Sequence, residues 1–161
     1  MKGFTLVEVL ITIFIFGFIV AGLYGILNVA TITYYTDLGL LDLHQQARNA
    51  IVRLVREVRE ANASSITVTA INPLSDRLTF DTPNKSGVQY YLSADQIIRE
   101  YPAGTQKVIA NNITRFKFTW NFNPGIPGSS RILRIAVQAE KDALRRHLSL
   151  LFGEQVRIRN E

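Results

Sequence analysis

From Val9 to Thr36 the chain holds no charged residue. A helix needs about 20 apolar residues to cross the hydrocarbon core of a bilayer, so this run is long enough to span one. After Asp37 the apolar positions do not stop but thin to Leu40, Leu43, Ala47, Ile51, Leu54, Val58 and Ala61, with Ala50 and Val55 widening the stripe. Intervals of three and four mark one face of a helix. The opposite face carries Arg48, Arg53, Arg56, Glu57, Arg59 and Glu60, and Arg53/Glu57 and Arg56/Glu60 fall at the i,i+4 spacing that supports a solvated helical surface. No proline precedes Pro73. The spacing therefore predicts one helix from about Phe4 to about Ala61, roughly 87 Å long at 1.5 Å per residue. Its first half suits lipid, and its second half presents an apolar stripe to a folded domain.

Beyond Asn62-Ala63-Ser64-Ser65, where the helix is expected to stop, the period changes to two. Ile66, Val68 and Ala70 alternate with Thr67 and Thr69, and Asn72-Pro73-Leu74-Ser75-Asp76 is turn chemistry before Leu78 and Phe80. A Pro83-Asn84-Lys85-Ser86-Gly87 turn precedes Val88, Tyr90 and Leu92. The clearest strand is ITRFKFTWNF, with Phe116, Phe118, Trp120 and Phe122 on one face and Arg115, Lys117, Thr119 and Asn121 on the other. NPGIPGSS is an irregular loop, and Leu133, Ile135, Val137 and Ala139 form a further strand ahead of the closing HLSLLFGEQVRIRN. Short strands between Pro, Gly and Asn turns predict an antiparallel sheet with one face to be covered. The stripe from Leu40 to Ala61 is its natural cover. The fold class is α+β, a lollipop with a long N-terminal helix.

Composition changes this picture little. Hydrophobic residues make up 47% of the chain and the formal charge is +5. Lys2 and Glu8 cancel, so the basic excess lies after the apolar run, where it would suit an anionic partner such as DNA. Aromatics interleaved with cations on the ITRFKFTWNF strand could stack bases, but four aromatics on one strand face are more simply the core beneath a helix. There is no cysteine, hence no disulfide framework. No G-x-S-x-G, H-E-x-x-H or phosphate-binding glycine loop occurs. His44 and His147 are far apart and lack carboxylates or cysteines at metal spacing. Asp37 and Asp42 beside His44 make at most a poor ligand set. No enzyme, cofactor or metal is expected. Gly17, Gly22, Gly25 and Gly39 each weaken a helix by roughly 1 kcal/mol relative to alanine. They are either close-packing surfaces or points where the helix can unwind.

The N-terminus decides between kinds of membrane segment. A cleaved secretory signal has a basic n-region, a short apolar core and a small-x-small cleavage site; here the apolar run is too long, and Glu8 stands near its start. A signal anchor fits better. Lys2 precedes the span while Asp37 and Asp42 follow it, so the positive-inside rule leaves the N-terminus cytoplasmic and exports the rest. Tyr34-Tyr35 sits where an interfacial aromatic belt would.

The stretch GFTLVEV resembles the class III signal of type IV pilin-like proteins: Gly3 ends a short basic leader, Phe4 follows, then Thr5, Leu6 and Glu8. The resemblance at residue level covers about the first third of the chain. It implies cleavage between Gly3 and Phe4 by a prepilin peptidase, N-methylation of Phe4, and retention of the span. It also gives Glu8 a role. An acid at a helix centre in lipid costs roughly 2.5–3.5 kcal/mol and usually has a partner, which in assembled filaments of the family is the positive N-terminus of a neighbouring subunit. Without that neighbour, Glu8 would rest on the helix dipole or on its own Phe4 amine. Residues 1–3 are then leader, 4–36 the transmembrane half of the helix, 37–63 its amphipathic half, and 64–161 the β-rich exported domain. Major pilins commonly carry a mid-span proline and a C-terminal disulfide loop, and this chain has neither. That leans towards a minor pilin or a type II secretion pseudopilin, and the RNAIVRLVREVREA and VRIRN stretches are similar to components of the J or W kind. Expected partners are the peptidase, other pilins or pseudopilins and the inner-membrane assembly platform. The alternative is a competence-pilus subunit that contacts DNA.

Overall fold

The computed structural model describes residues 5–122, 131–143 and 146–158. One helix, α1, runs unbroken over Leu6–Arg59, about 81 Å at 1.5 Å per residue. It ends at Glu60, and a short 3-10 turn at Ala63–Ser65 follows. This turn ties the helix end to the sheet: Asn62 N–H donates to the Asp81 carbonyl at 2.9 Å, and Asp81 N–H donates to Ser65 Oγ at 2.9 Å. Eight strands follow: β1 Thr67–Asn72, β2 Ser75–Thr82, β3 Lys85–Ser93, β4 Gln96–Glu100, β5 Gln106–Ala110, β6 Ile113–Trp120, β7 Ile132–Ala143 and β8 Arg146–Arg157.

The strands form one sheet in the order β5-β4-β3-β2-β6-β7-β8, with β1 paired to β2. The lollipop is present, a long apolar helix packed on a largely antiparallel sheet. The sheet departs from the expected pattern in three ways. β2 meets β6 in parallel, through the single register pair Ser75↔Phe116. β4 and β5 have no clean alternation in sequence, since QIIRE places two aliphatics and Arg99 in succession, all three buried. The turn after β2 is only Pro83-Asn84, because Lys85, Ser86 and Gly87 already belong to β3. Gly87 sits there at φ +74°, a backbone state that glycine enters without strain, and its N–H reaches Asp81 Oδ1 at 2.6 Å. The NPGIPGSS loop lies outside the described residues.

The core lies between the second half of α1 and one sheet face. Gly39, Leu43, Ala47, Ala50, Ile51, Leu54 and Val58 are the buried helix positions from Gly39 onward, the three-and-four spacing seen in the sequence. Ala50, Ile51 and Leu54 meet Ile97, Phe116 and Val137. Phe80 stacks on Tyr90 with centroids 6.2 Å apart, and Phe116 meets Phe118 edge-on at 4.6 Å. Fully burying a side chain of this size gains about 1.5–3 kcal/mol, so this interface holds the helix to the head. Trp120 is only half-buried, and Phe122 lies half-buried beyond the end of β6.

Two inward-facing carboxylates, Asp76 buried and Glu57 half-buried, finish what apolar packing leaves open. Asp76, 4% exposed, sits where β2 and β6 diverge after their single bridge. Its Oδ2 accepts the Phe118 N–H at 2.9 Å and its Oδ1 accepts Lys117 Nζ at 2.7 Å. A side chain thus replaces the missing strand-to-strand bond and joins the sheet's two halves. Glu57 corrects the expectation of a solvated face. It turns inward, where its carboxylate accepts Arg99 Nε at 2.9 Å and the Tyr90 hydroxyl at 2.8 Å, with Lys85 Nζ at 3.8 Å. Burial alone would raise the Glu57 carboxyl, but the bonds from Arg99 and Tyr90 and the charges of Arg99 and Lys85 outweigh it and hold it below its ordinary range. Burial, then the Glu57 charge, pushes the Tyr90 hydroxyl well above the usual tyrosine range.

Each carboxylate has a measurable consequence. Asp76→Ala leaves a buried N–H and a lysine unpaired and should destabilise the head by about 3 kcal/mol, read from denaturant unfolding of the full chain in detergent. Glu57→Ala should cost a similar amount by stranding Arg99. Because the folded Glu57 carboxyl is depressed, its stabilisation is complete above the unfolded value near 4.5 and lost as pH falls through the folded value. The melting temperature of Glu57→Gln should therefore fall less between pH 5 and 3, roughly the carboxylate titration range, than that of the parent chain.

Candidate functional site: the N-terminal segment and its junction with the head

The helix begins with a capping box. Thr5 is the N-cap, its Oγ1 accepts the Glu8 N–H at 3.3 Å, and Glu8 Oε2 accepts the Thr5 N–H at 2.9 Å. Two of the four N–H groups that a helix start leaves unpaired are satisfied reciprocally. The Thr5 hydroxyl also donates to Glu8 Oε2 at 3.0 Å. In the isolated chain Glu8 caps its own helix start through Oε2, at an exposed position. Gly3 and Phe4 lie outside the described residues.

From Leu6 to Tyr35 the helix touches almost nothing, and only Ile32 is half-buried. This stretch is about 45 Å long against a hydrocarbon core of about 30 Å. All its internal backbone groups bond within the helix, the condition for a segment to cross lipid. Thr12 and Thr31, which would otherwise expose hydroxyls there, donate them to the Glu8 and Leu27 carbonyls at 2.7 and 2.8 Å. A single helix long and apolar enough to cross a membrane is present among the described residues, near the N-terminus. Gly17, Gly22 and Gly25 stay helical with open space beside them. Gly22 and Gly25 line a shallow apolar hollow with Ala21, Ile26, Val29 and Ala30.

The junction with the head is abrupt. Tyr34 and Tyr35 are exposed, and the next residue, Thr36, is buried. One turn on, Gly39 lets the β7–β8 end close on the helix: a Cβ there would stand 2.9 Å from Leu148 Cδ1 and 3.3 Å from the Ala143 Cβ. Gly39 is thus a packing glycine. Asp42 extends the contact, with Lys141 Nζ at 2.6 Å and Gln46 Nε2 at 3.0 Å, and these two hydrogen bonds, Lys141 first, lower its carboxyl below the ordinary range. His44 is exposed and lies edge-on to Phe152, with ring centroids 5.4 Å apart.

Strand pairing gives His147 neighbours that linear spacing hid. Its Nδ1 lies 2.8 Å from Asp142 and its Nε2 3.7 Å from Glu140, and chiefly the Asp142 bond raises the imidazole above its usual value. Even so, among the described residues no group of three or more His, Asp or Glu side chains could hold a metal. Several cations of the basic excess are spent in internal pairs: Arg99 and Lys85 on Glu57, Lys117 on Asp76, Lys141 on Asp42.

Against known families, residues 1–24 match the model described as the prokaryotic N-terminal methylation motif. No curated protein and no solved structure matches the chain. The match covers the capping box and the start of the bare helix, and stops before the head. The chain thus carries a methylation signal of the prepilin-peptidase type on a pilin-like α+β fold.

Proposed function

We propose that this protein is a minor pilin or pseudopilin, a structural subunit that helps to start or cap a type IV pilus or type II secretion pseudopilus. The observation that carries the reading is the joining of a methylation signal over residues 1–24 to one helix that is bare through Tyr35 and packed on the head beyond it. The peptidase removes residues 1–3 by cutting between Gly3 and Phe4, and the new Phe4 amine is methylated. Residues 4–36 hold the chain in the inner membrane with the N-terminus cytoplasmic. Residues 37–63 carry the head formed by 64–161 on the outer side. On leaving the bilayer, the bare half becomes filament core among other subunits, and the assembly platform drives that transfer.

Glu8 supports this reading through its economy. Its capping bonds come from Thr5 alone, and a carboxylate can accept more hydrogen bonds than these two. It is free to receive the methylated amine of a neighbouring subunit without giving up its helix cap. In lipid or a dry filament core that pair is a charge-assisted contact, stronger than the same pair in water.

Two measurements test the reading. Intact-mass analysis of the chain made with and without prepilin peptidase should show loss of Met1-Lys2-Gly3 and gain of one methyl group; an unprocessed mass sinks it. Glu8→Ala should still be cut and keep a folded head, yet lower incorporation into filaments or secretion at least tenfold. Unchanged incorporation removes Glu8 from the assembly contact.

A further inference from the structure

Among the described residues the sheet has two short, protected edge strands and one open edge. β5, at one end, is five residues long. Its ladder to β4 shifts register between Ile97 and Ile98, Lys107 sits within it, and just beyond it Asn111 N–H is taken by Gln46 of the helix at 2.9 Å. β1 is likewise short, with an irregularity between Ala70 and Asn72 and Pro73 straight after. Short length, lysine, proline and bulges are the devices by which proteins stop edge strands from recruiting others. β8 has none of them. It is twelve residues long, RHLSLLFGEQVR, and pairs with β7 in one unbroken register from Ile132↔Arg157 to Ala143↔Arg146.

The hydrogen-bond phase shows which groups are left over. Ile158 N–H donates to the Arg131 carbonyl at 2.9 Å. In an antiparallel ladder alternate residues bond to the same neighbour, so Val156, Glu154, Phe152, Leu150 and Leu148 bond to β7. The N–H and C=O groups of Arg157, Gln155, Gly153, Leu151, Ser149 and His147 then point away from β7, and among the described residues no strand pairs with that side. Beside the edge lies a cleft of about 470 Å³ between β8 and α1, lined by Ile51, Val52 and Val55, with Arg56, Arg59, Glu60 and Glu154 at its margin. Val52 is 58% exposed, as is Leu151 at 67% on the strand's outer face.

The geometry points to strand addition on β8, by an extended segment of another protein subunit with alternate apolar residues and acidic ends. Backbone groups of that segment complete the ladder, and its helix-side side chains enter the Val52–Val55 cleft, the usual division of labour in β-augmentation. Charge selects the occupant. Arg146 stands at one end of the strand and Arg157 at the other, while His147 faces Asp142 and Glu140 and the cleft margin mixes Arg56 and Arg59 with Glu60 and Glu154. Outward residues must face outward residues, so the fullest antiparallel overlap of a second copy sets His147 opposite Arg157 and brings Arg146 beside it at both ends, and like charges this close destabilise a pair. An acid-ended strand from a different subunit meets a cation at each end instead. The inference stands apart from the processing of the N-terminus and from the role of Glu8.

The test uses the full chain in detergent micelles and a fluorescent peptide of alternating Val and Thr with Asp at both ends. The Asp-ended peptide should bind at least tenfold more tightly than the same peptide with Lys ends. Gly153→Pro and Ser149→Pro remove outward N–H groups without touching the β7 ladder, as proline can on an edge strand. Each should weaken peptide binding at least tenfold with little change in melting temperature, while Phe152→Pro unfolds the head. Absence of binding, equal binding of the two peptides, or full binding by both folded proline variants overturns the proposal. Unfolding by both Gly153→Pro and Ser149→Pro overturns the open-edge phase itself. A dimer of the parent chain that either variant converts to monomer assigns the edge to a second copy and overturns it as well.

Discussion

A single unbroken helix has to serve two environments, and the rest of the molecule follows from that constraint. In lipid every backbone polar group must be satisfied within the segment, so the first half of α1 admits no break and lends no groups to a neighbour. In the head the same rod must bury one stripe against a sheet. Continuity fixes the rotational phase of one half relative to the other, since a rigid helix turns by a set angle per residue. The face buried from Gly39 to Val58 therefore determines which side of the Leu6–Tyr35 stretch points where. Whatever meets the bare half meets the head in a fixed relation.

That coupling explains the placement of the polar contacts. Apolar packing resists separation but is non-directional, so a smooth stripe on a smooth sheet face could slide. Asp42–Lys141 lies near the point where the helix enters the head, and Glu57 with Arg99 and Tyr90 lies near its end. The exposed Asp42–Lys141 pair contributes little, but the Glu57–Arg99 pair, largely withdrawn from water, disfavours any register that leaves its members unpaired. Just before the first of them, Gly39 sets how closely the β7–β8 end can approach. Asp76 does for the sheet what Glu57 does for the helix: it holds a junction where regular pairing runs out. The head is in this sense built to keep the helix at one angle and one phase.

The outer surface differs across the sheet. β5 and β1 are blunted, whereas β8 is long, regular and bordered by an apolar cleft. Among the described residues it is the β8 edge that keeps outward backbone groups in a long, regular row.

The N-terminal signal, the long helix, its buried stripe and the strands around Phe80, Tyr90, Phe116 and Val137 were all legible in the sequence. Periodicity and capping are local, and a helix or half-buried strand writes its period wherever it lies. β4 escaped because Arg99 is buried there on a partner 42 residues away, which breaks the alternation that marks a strand. Glu57 was assigned to the solvent face for the complementary reason. Its i,i+4 spacing to Arg53 is a genuine local option, but a desolvated guanidinium and a phenol outbid it, and that pull arises only once β3 and β4 lie beneath the helix. The Asp76 joint, the Asp142 contact with His147 and the open β8 edge likewise depend on which strands become neighbours. The sequence by itself determined where the chain is apolar, where it turns and how it starts. The tertiary structure decided which charges are buried together and which backbone groups are left unpaired, because both depend on contacts between residues far apart along the chain.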